Sequence, residues 1–236
     1  MENIQQEQPQ LVPVSALSDE KRVAFYRKTY LHVAYAVLLF IAVEVILFQV
    51  PAIVNFALSM TVGWRWLLLL GAFALATNYA ERMALGTTDR NKQYMALGIF
   101  VIAEAFIFIP LLYIAIGVTE DFALLNQAAV LTLALFTGLT LTALLTKKDF
   151  SFLKSILTIG FVIAIGLIVA GTLFGFNLGL WFSVAMVALA AGSILYTTSN
   201  MVHKYQEEQY VAAALGLFAS LMLLFWYILR ILMSRD

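Results

Sequence analysis

The stretch YMALGIFVIAEAFIFIPLLYIAI, residues 94–116, decides the fold class of this chain. A helix needs about 20 predominantly apolar residues to cross the hydrocarbon core of a bilayer. This run is long enough, and its single charged side chain is Glu104. It therefore predicts a transmembrane helix that carries one carboxyl near its middle and a proline, Pro110, further along.

Apolar runs of similar length lie on both sides of this stretch. The seven predicted spans are residues 30–50, 64–81, 94–116, 124–145, 152–174, 180–202 and 210–232. The 236 residues are 63% apolar and 12% charged, whereas soluble proteins are about 45–50% apolar and about 25% charged. The ten-residue alternation typical of a membrane β-barrel does not recur. We therefore predict an all-α integral membrane protein, a seven-transmembrane-helix bundle whose first partner is the lipid bilayer.

The distribution of Lys and Arg predicts the orientation of the bundle, because cytoplasmic loops carry an excess of basic residues. With the N-terminus in the cytoplasm, eleven of the 14 basic residues lie on the inner side. The outer side then holds only Arg65, Arg230 and Arg235. We therefore predict a cytoplasmic N-terminus and a C-terminus outside.

The chain divides into an arm and a membrane domain. Residues 1–17 are polar and rich in Gln, with Pro9 and Pro13, and we predict a disordered N-terminal arm. Residues 18–236 form the predicted seven-helix domain. Ser18 is the expected N-cap of its first helix, because Ser at this position can accept a hydrogen bond from the first turn.

Small residues identify the helix that we expect at the centre of the bundle. Helices in lipid pack most closely where small side chains let their backbones approach. In the seventh span Ala212, Gly216 and Ser220 recur at four-residue spacing. We therefore predict that the seventh helix is central.

Composition excludes several functions. Net charge is zero, so no basic excess favours nucleic acid. The chain has no Cys and only two His, which excludes thiolate metal sites and a three-histidine zinc site from one chain. No nucleophile-elbow, HExxH or phosphate-loop motif occurs. We predict a protein that is not an enzyme and has no resident metal or cofactor.

Two acids, Glu44 and Glu104, fall near the middle of predicted spans. A charged side chain at that depth costs roughly 2.5–3.5 kcal/mol on insertion scales, so it usually faces the bundle interior and has a function. No Lys or Arg lies at a comparable depth, and we expect at least one of the two acids to be protonated at neutral pH. As neighbours they would share a proton and titrate as a pair, forming a proton-controlled gate or a hydrated cation site.

Pro110 lies in the same predicted span as Glu104, six residues further along. Proline has no amide hydrogen, so the carbonyl of Phe106 loses its helical partner. We expect a helix break and a polar pocket near Glu104. The alternative is that each protonated Glu bonds a nearby carbonyl or hydroxyl and serves packing only.

Three stretches resemble the Bax inhibitor-1 family. They are TKKDFSFLKSIL at 146–157, FYRKTYLHVAYAVL at 25–38 and GSILYTTSNMVHKY at 192–205. The resemblance covers residues 22–236 and implies a seven-helix bundle with the last helix central. Members of the family are described as pH-sensitive calcium leak proteins, and the eukaryotic ones as suppressors of cell death. A bacterial branch restrains a membrane-anchored ATP-dependent protease.

The chain departs from this family at one functional feature. The resemblance places a proton-sharing acid pair on the sixth and seventh spans, but the matching positions here are Thr197 and Ser220. The acid-pair gate therefore cannot be transferred, and Glu44 and Glu104 are the candidates to replace it.

Three functional hypotheses stay open. The leading hypothesis is a multi-pass protein of the bacterial inner membrane that acts as a pH-sensitive cation leak, with calcium as the transported ion. The alternative is a non-transporting partner of a membrane protease complex, which would use the polar N-terminal arm for docking. An accessory subunit of a larger membrane complex is a third hypothesis.

Overall fold

A computed structural model describes residues 12–119, 121–146 and 148–234 of the chain. The eight α-helices of this part are α1 (Asp19–Phe48), α2 (Pro51–Ser59), α3 (Arg65–Leu85), α4 (Arg90–Thr119), α5 (Ala123–Thr146), α6 (Leu153–Phe174), α7 (Gly179–His203) and α8 (Tyr210–Met233). Short 3₁₀ turns occupy Val14–Ala16 and Glu207–Gln209. These ranges contain no β-strand, which agrees with the predicted all-helical class.

Six of these helices are long and apolar enough to cross a membrane: α1, α4, α5, α6, α7 and α8. The chain is thus a multi-pass membrane protein. Helix α3, which contains the predicted span 64–81, also has sufficient length, but Asn78, Glu81 and Arg82 make its second half more polar. The seven-span count and the orientation therefore remain predictions.

Helix boundaries follow local sequence signals. Ser18 accepts a hydrogen bond from the backbone N–H of Lys21 at 3.5 Å, and so caps α1 as predicted. Gly175 ends α6 with φ +73°, a left-handed conformation that glycine adopts at little cost. Pro51 occupies the first turn of α2, where its missing N–H has no helical partner to lose. Helix α2 lies between the first two predicted spans, where no helix was predicted.

Helix α8 is the most buried helix of the bundle and packs against α1, α3, α4, α5 and α7. Its small residues permit this, as predicted. A Cβ atom built on Gly216 would lie 3.1 Å from Cγ2 of Thr197, so only glycine fits the present approach of α7 without adjustment. In contrast, α6 packs mainly on α7 and touches α3 only lightly.

The N-terminal arm differs from its predicted disorder where it is described. Residues 1–11 lie outside the described residues. The remaining residues 12–17, which we name the N-terminal strap, lie on the loop between α7 and α8. Val14 is completely buried and its N–H donates to the carbonyl of Tyr205 at 2.9 Å. This apolar side chain and the free backbone groups of the loop explain why the strap packs.

Candidate functional site

Three cavities follow one another along α8. The Glu81 cavity has a volume of about 390 Å³ and reaches α8 from Ala212 to Leu223. The Glu104 cavity, about 420 Å³, begins at Leu223 and ends at Arg230. The third, the Pro110 cavity, measures about 390 Å³ and continues from Trp226 to Ser234.

Neighbouring cavities share wall residues on α8. Leu223 lines both the Glu81 cavity and the Glu104 cavity. Trp226 and Arg230 line both the Glu104 cavity and the Pro110 cavity. At 1.5 Å per residue, the helix from Ala212 to Ser234 measures roughly 33 Å. A bilayer's hydrocarbon core is about 30 Å thick, so the series of cavities has the length of a membrane crossing.

Glu104 on α4 lines the middle cavity of this series. Its residue exposure is only 6%, and no hydrogen bond or ion pair joins its carboxyl to another described residue. Aromatic rings form much of the surrounding wall. The rings of Phe108 and Trp226 meet edge to face with centroids 4.8 Å apart, and Trp66 stacks on Trp226. Arg230 also lines this cavity, so the acid faces a wall that is mostly aromatic and aliphatic but carries one positive charge.

Glu44 on α1 is buried as well, at 6% exposure, but in a different place. It continues the buried stripe of α1 that includes Ala36 and Phe40. Neither carboxyl oxygen has a hydrogen-bond partner among the described residues, and Glu44 lines none of the three cavities. Its carboxyl therefore faces protein rather than the cavities along α8.

The structure does not bring the two predicted acids together. Helices α1 and α4 run in the same direction, because His32 meets Tyr94 near their starts and Phe40 meets Phe108 further on. Glu44 lies one turn after Phe40, whereas Glu104 lies one turn before Phe108. Eight residues at 1.5 Å separate the acids by roughly 12 Å along the helices. The proton-sharing pair that neighbouring acids would form is absent from the described residues.

Pro110 is buried within α4, which continues as a helix from Arg90 to Thr119. The helix is therefore not interrupted at Pro110, although the proline cannot donate to the carbonyl of Phe106, and the predicted kink stays a prediction. The helices around Pro110 keep α4 helical on both sides of the proline, because Pro110 is buried inside the bundle. Glu104 lines a cavity, as expected, but Pro110 lines the neighbouring one, so the acid and the proline do not share a pocket.

Thr197 and Ser220, the two positions where the acid pair is missing, line the same cavity. The Oγ atom of Ser220 donates to the carbonyl of Gly216 at 3.0 Å and lies 2.9 Å from Oγ of Ser193. These hydroxyls bring α7 and α8 together but carry no charge. The two positions are therefore neighbours in space, as the resemblance implies, without the chemistry of a carboxyl pair.

Sequence reasoning missed Glu81, which lines this cavity from α3. The predicted span ended at Glu81, whereas α3 continues to Leu85 and so encloses the carboxyl one turn inside the helix. The Glu81 carboxyl affects the nearby side chain of Tyr205. Burial, and then the nearby charge of Glu81, raise the pKa of the Tyr205 phenol, which therefore remains a neutral hydroxyl. The polar run at residues 78–82 was the available signal.

The turn between α5 and α6 is anchored to α7. The backbone N–H of Phe150 donates to Oγ of Ser199 at 2.9 Å, and the N–H of Ser151 donates to Asp149 at 2.8 Å. Hydrogen bonds from the side chain and backbone of Ser151 hold the pKa of Asp149 below its usual value. This turn therefore fixes the connection between two helices and contributes no group to the cavities.

Comparison with known proteins finds several relatives of this chain. Protein LIFEGUARD 4 of Arabidopsis thaliana is 29% identical over 96% of this chain and 91% of its own length. Protein lifeguard 4 of Mus musculus is 28% identical over 93% of this chain and 88% of its own. An uncharacterized protein of Pseudomonas aeruginosa is 32% identical, but the match spans 52% of this chain and about half (55%) of that relative.

A family match covers almost the whole membrane domain. Residues 22–236 match the family described as inhibitor of apoptosis-promoting Bax1. This range includes α1 from its first turn and every helix that lines the three cavities. The chain therefore belongs to the Bax inhibitor family of membrane proteins.

Proposed function

We propose that this chain is a pH-sensitive cation leak, with calcium as the transported ion, and that cations cross the membrane along α8. One observation carries the proposal: three cavities succeed one another along that helix over about the thickness of a bilayer core. The proposal counts α3 as a membrane span in addition to the six long apolar helices, which makes seven spans in all. It places the N-terminus in the cytoplasm of a bacterial cell, with the chain in the inner membrane.

Glu104 is the group that we assign to ion attraction and proton sensing. Its carboxyl faces the middle cavity without a hydrogen bond or ion pair to another described residue. In the ionised form it attracts cations into a cavity whose wall also carries the positive charge of Arg230, and in the protonated form that attraction is lost. Cation flux therefore rises with pH as Glu104 loses its proton.

Glu44 takes a different role in this proposal. It lies off the cavities and contacts the interior of the bundle. A protonated carboxyl there serves packing, which is the alternative that the sequence left open. Of the two predicted acids, the geometry therefore favours Glu104 as the one that governs flux.

Leu223 stands at the boundary of the Glu81 and Glu104 cavities because it lines both, and Trp226 stands in the same way at the boundary of the Glu104 and Pro110 cavities. Large apolar side chains exclude water and ions from such a point, because a charge loses its hydration there. Movement of these side chains is therefore required for conduction.

The test is calcium flux into proteoliposomes that contain a calcium-sensitive dye, in a pH series from about 5.5 to 8. Wild type should conduct more at the upper end of the series. Glu104→Gln should remove the pH dependence, whereas the matched variant Glu44→Gln should keep it. Equal pH profiles for wild type and Glu104→Gln would overturn the assignment, and the absence of flux above empty liposomes would overturn the leak.

A second candidate function is that of a non-transporting partner of a membrane-anchored protease complex. It is favoured by the N-terminal strap, which is packed on the α7–α8 loop and follows the polar residues 1–11 in the sequence. Deletion of residues 2–11 leaves the strap intact. If this candidate is right, the deletion should reduce capture of the protease from solubilised membranes, and Glu104→Gln should not.

A further inference from the structure

The N-terminal strap lies over the loop that joins α7 to α8, residues 204–209. Its 3₁₀ turn, Val14–Ala16, packs against α7 and α1. The side chain of Val14 is completely buried and belongs to the main hydrophobic core of the bundle, whereas Val12, two residues earlier, is 42% exposed. Val14 is therefore the main apolar anchor of the strap.

Backbone contacts join the strap to the first half of this loop. The N–H of Val14 donates to the carbonyl of Tyr205 at 2.9 Å. Pro13 and Gln206 form an isolated antiparallel bridge, and both have extended backbone conformations. The strap and the loop thus run side by side as two short extended segments, and the strap fixes the position of Tyr205.

Tyr205 is also part of the wall of the Glu81 cavity. Among the described residues that line this cavity, it is the one that the α7–α8 loop contributes. Its hydroxyl reaches the Gly216 surface of α8, at 3.8 Å from the position of an added Cβ. Leu85, the last residue of α3, lines the same cavity, and its carbonyl accepts a hydrogen bond from Nε2 of Gln209 at 3.2 Å. The loop therefore bounds the cavity at the end of α3, and Tyr205 is the side chain that it places there.

The contacts of the strap are few enough for it to open while the bundle stays folded. The second half of the loop is held separately, because the side-chain amide of Gln93 donates to the carbonyl of Glu208 at 3.2 Å. An ion pair joins Lys21, just after the strap, to Glu207 at 3.0 Å, but both side chains are exposed and such pairs contribute little. A segment with few buried contacts opens locally at a lower free energy than the whole fold.

We propose that the N-terminal strap is a closing element for the Glu81 cavity: it holds Tyr205 across the loop end of the cavity, and that end opens to water and ions when Val14 leaves the core. The inference rests on the proposed leak for one consequence, that release of the strap raises cation flux. The opening itself does not require conduction, so it is measured separately.

Thiol labelling provides the test, because the chain has no Cys and one introduced Cys is then its single thiol. Thr197→Cys places this reporter in the wall of the Glu81 cavity. A cationic methanethiosulfonate reagent should modify it slowly in purified full-length protein in detergent. Adding Val14→Asp should raise the rate by about fivefold or more, because a charge is costly in an apolar environment and the strap leaves its place.

Matched variants separate release of the strap from misfolding. Val12→Asp puts the same charge on the exposed part of the strap and should leave the rate at Thr197→Cys unchanged. A second reporter, Ile168→Cys in the wall of the Glu104 cavity, should be labelled at the same rate with and without Val14→Asp. Val14→Ala should give a smaller increase at Thr197→Cys, which keeps the proposal testable where Val14→Asp does not fold.

Two results would overturn the inference. One is an unchanged rate at Thr197→Cys when folded protein carries Val14→Asp. The other is an equal increase at Thr197→Cys and Ile168→Cys, which would show that the whole bundle has loosened.

Flux measurements on the same variants separate the strap from the leak. If both proposals hold, Val14→Asp should raise calcium flux into dye-loaded proteoliposomes, and Glu104→Gln should leave labelling at Thr197→Cys unchanged. Faster labelling in Val14→Asp without flux in any liposomes would overturn the leak and support the strap as a closing element. Flux that depends on Glu104, together with labelling that is indifferent to Val14, would overturn the role of the strap and support the leak.

Discussion

The side-chain oxygen of Gln93, on α4, accepts a hydrogen bond from the backbone N–H of Ala212, on α8, at 3.2 Å. Ala212 lies in the first turn of α8, where backbone N–H groups have no partner within the helix. The amide nitrogen of Gln93 donates to the carbonyls of Thr87 and Glu208 at 3.1 and 3.2 Å. One side chain with 0% exposure thus joins the start of α4, the preceding loop and the start of the central helix.

Replacing Gln93 with Leu should destabilise the bundle by about 1–3 kcal/mol, because it leaves buried backbone groups without partners. Thermal unfolding in detergent, followed by tryptophan fluorescence, measures the loss. Gln127→Ala is the matched control, since Gln127 is exposed on α5, and it should change stability by less than about 0.5 kcal/mol. Equal melting curves for Gln93→Leu and wild type would contradict the assigned hydrogen bonds.

A larger residue at Gly216 should destabilise the packing of α8 against α7. A Cβ there already lies 3.1 Å from Cγ2 of Thr197, so Gly216→Val forces α7 and α8 apart and should cost about 1–3 kcal/mol. Gly166→Val on α6 is the control, because nothing lies within 4 Å of an added Cβ there. The same melting measurement applies. Similar losses for the two variants would mean that helix propensity, and not the α7–α8 contact, determines the effect.

Much of this architecture could be predicted from the sequence, because apolar runs end where charged or turn residues begin. The predicted spans 152–174 and 210–232 differ by one residue from α6 (Leu153–Phe174) and α8 (Tyr210–Met233). Helix α2 was not predictable in the same way. At nine residues, it is too short to give the signal of a span.

The candidate site was less predictable, because it depends on how helices face one another. The positions of Glu44 and Glu104 within their predicted spans correctly indicated that both are buried. Such a position does not tell which side of a helix faces a cavity. Glu81 was missed since only the continuation of α3 to Leu85 encloses its carboxyl. The burial of Val14 likewise depends on a loop about 190 residues away in the chain.

Asp149 predicts a pH effect at the turn between α5 and α6. Hydrogen bonds from Ser151 lower its pKa in the folded state, so the carboxylate stabilises the fold above its unfolded value of about 3.9. This stabilisation by Asp149 is lost as the pH falls from the unfolded pKa through the lower pKa of the folded protein. Asp149→Asn should therefore reduce the melting temperature at pH 7 and narrow its difference from wild type at acidic pH.

A melting series of wild type and Asp149→Asn at steps between pH 3 and 7 would measure this difference. Asp89→Asn in the loop before α4 provides a comparison at another exposed loop carboxylate that accepts a backbone hydrogen bond, there from Asn91. A difference between wild type and Asp149→Asn that stays constant across the series would exclude the carboxylate's charge as the cause.

Arg230 gives a prediction that depends on the proposed leak. It lines both the Glu104 cavity and the Pro110 cavity, so a passing cation meets its positive charge. A divalent cation and a unit positive charge about 10 Å apart repel by roughly 3.3 kcal/mol at an effective dielectric constant of about 20, which is on the order of a hundredfold in rate. Arg230→Gln should raise calcium flux into dye-loaded proteoliposomes by about that factor, and most strongly at low salt.

Arg65→Gln is the control for this experiment. Arg65 lies at the start of α3 and is exposed, and it lines neither the Glu104 cavity nor the Pro110 cavity. Its charge should therefore be screened by solvent and alter flux little. An equal increase in both variants would point to a general surface effect, whereas unchanged flux in Arg230→Gln would exclude these two cavities as the route of the ion.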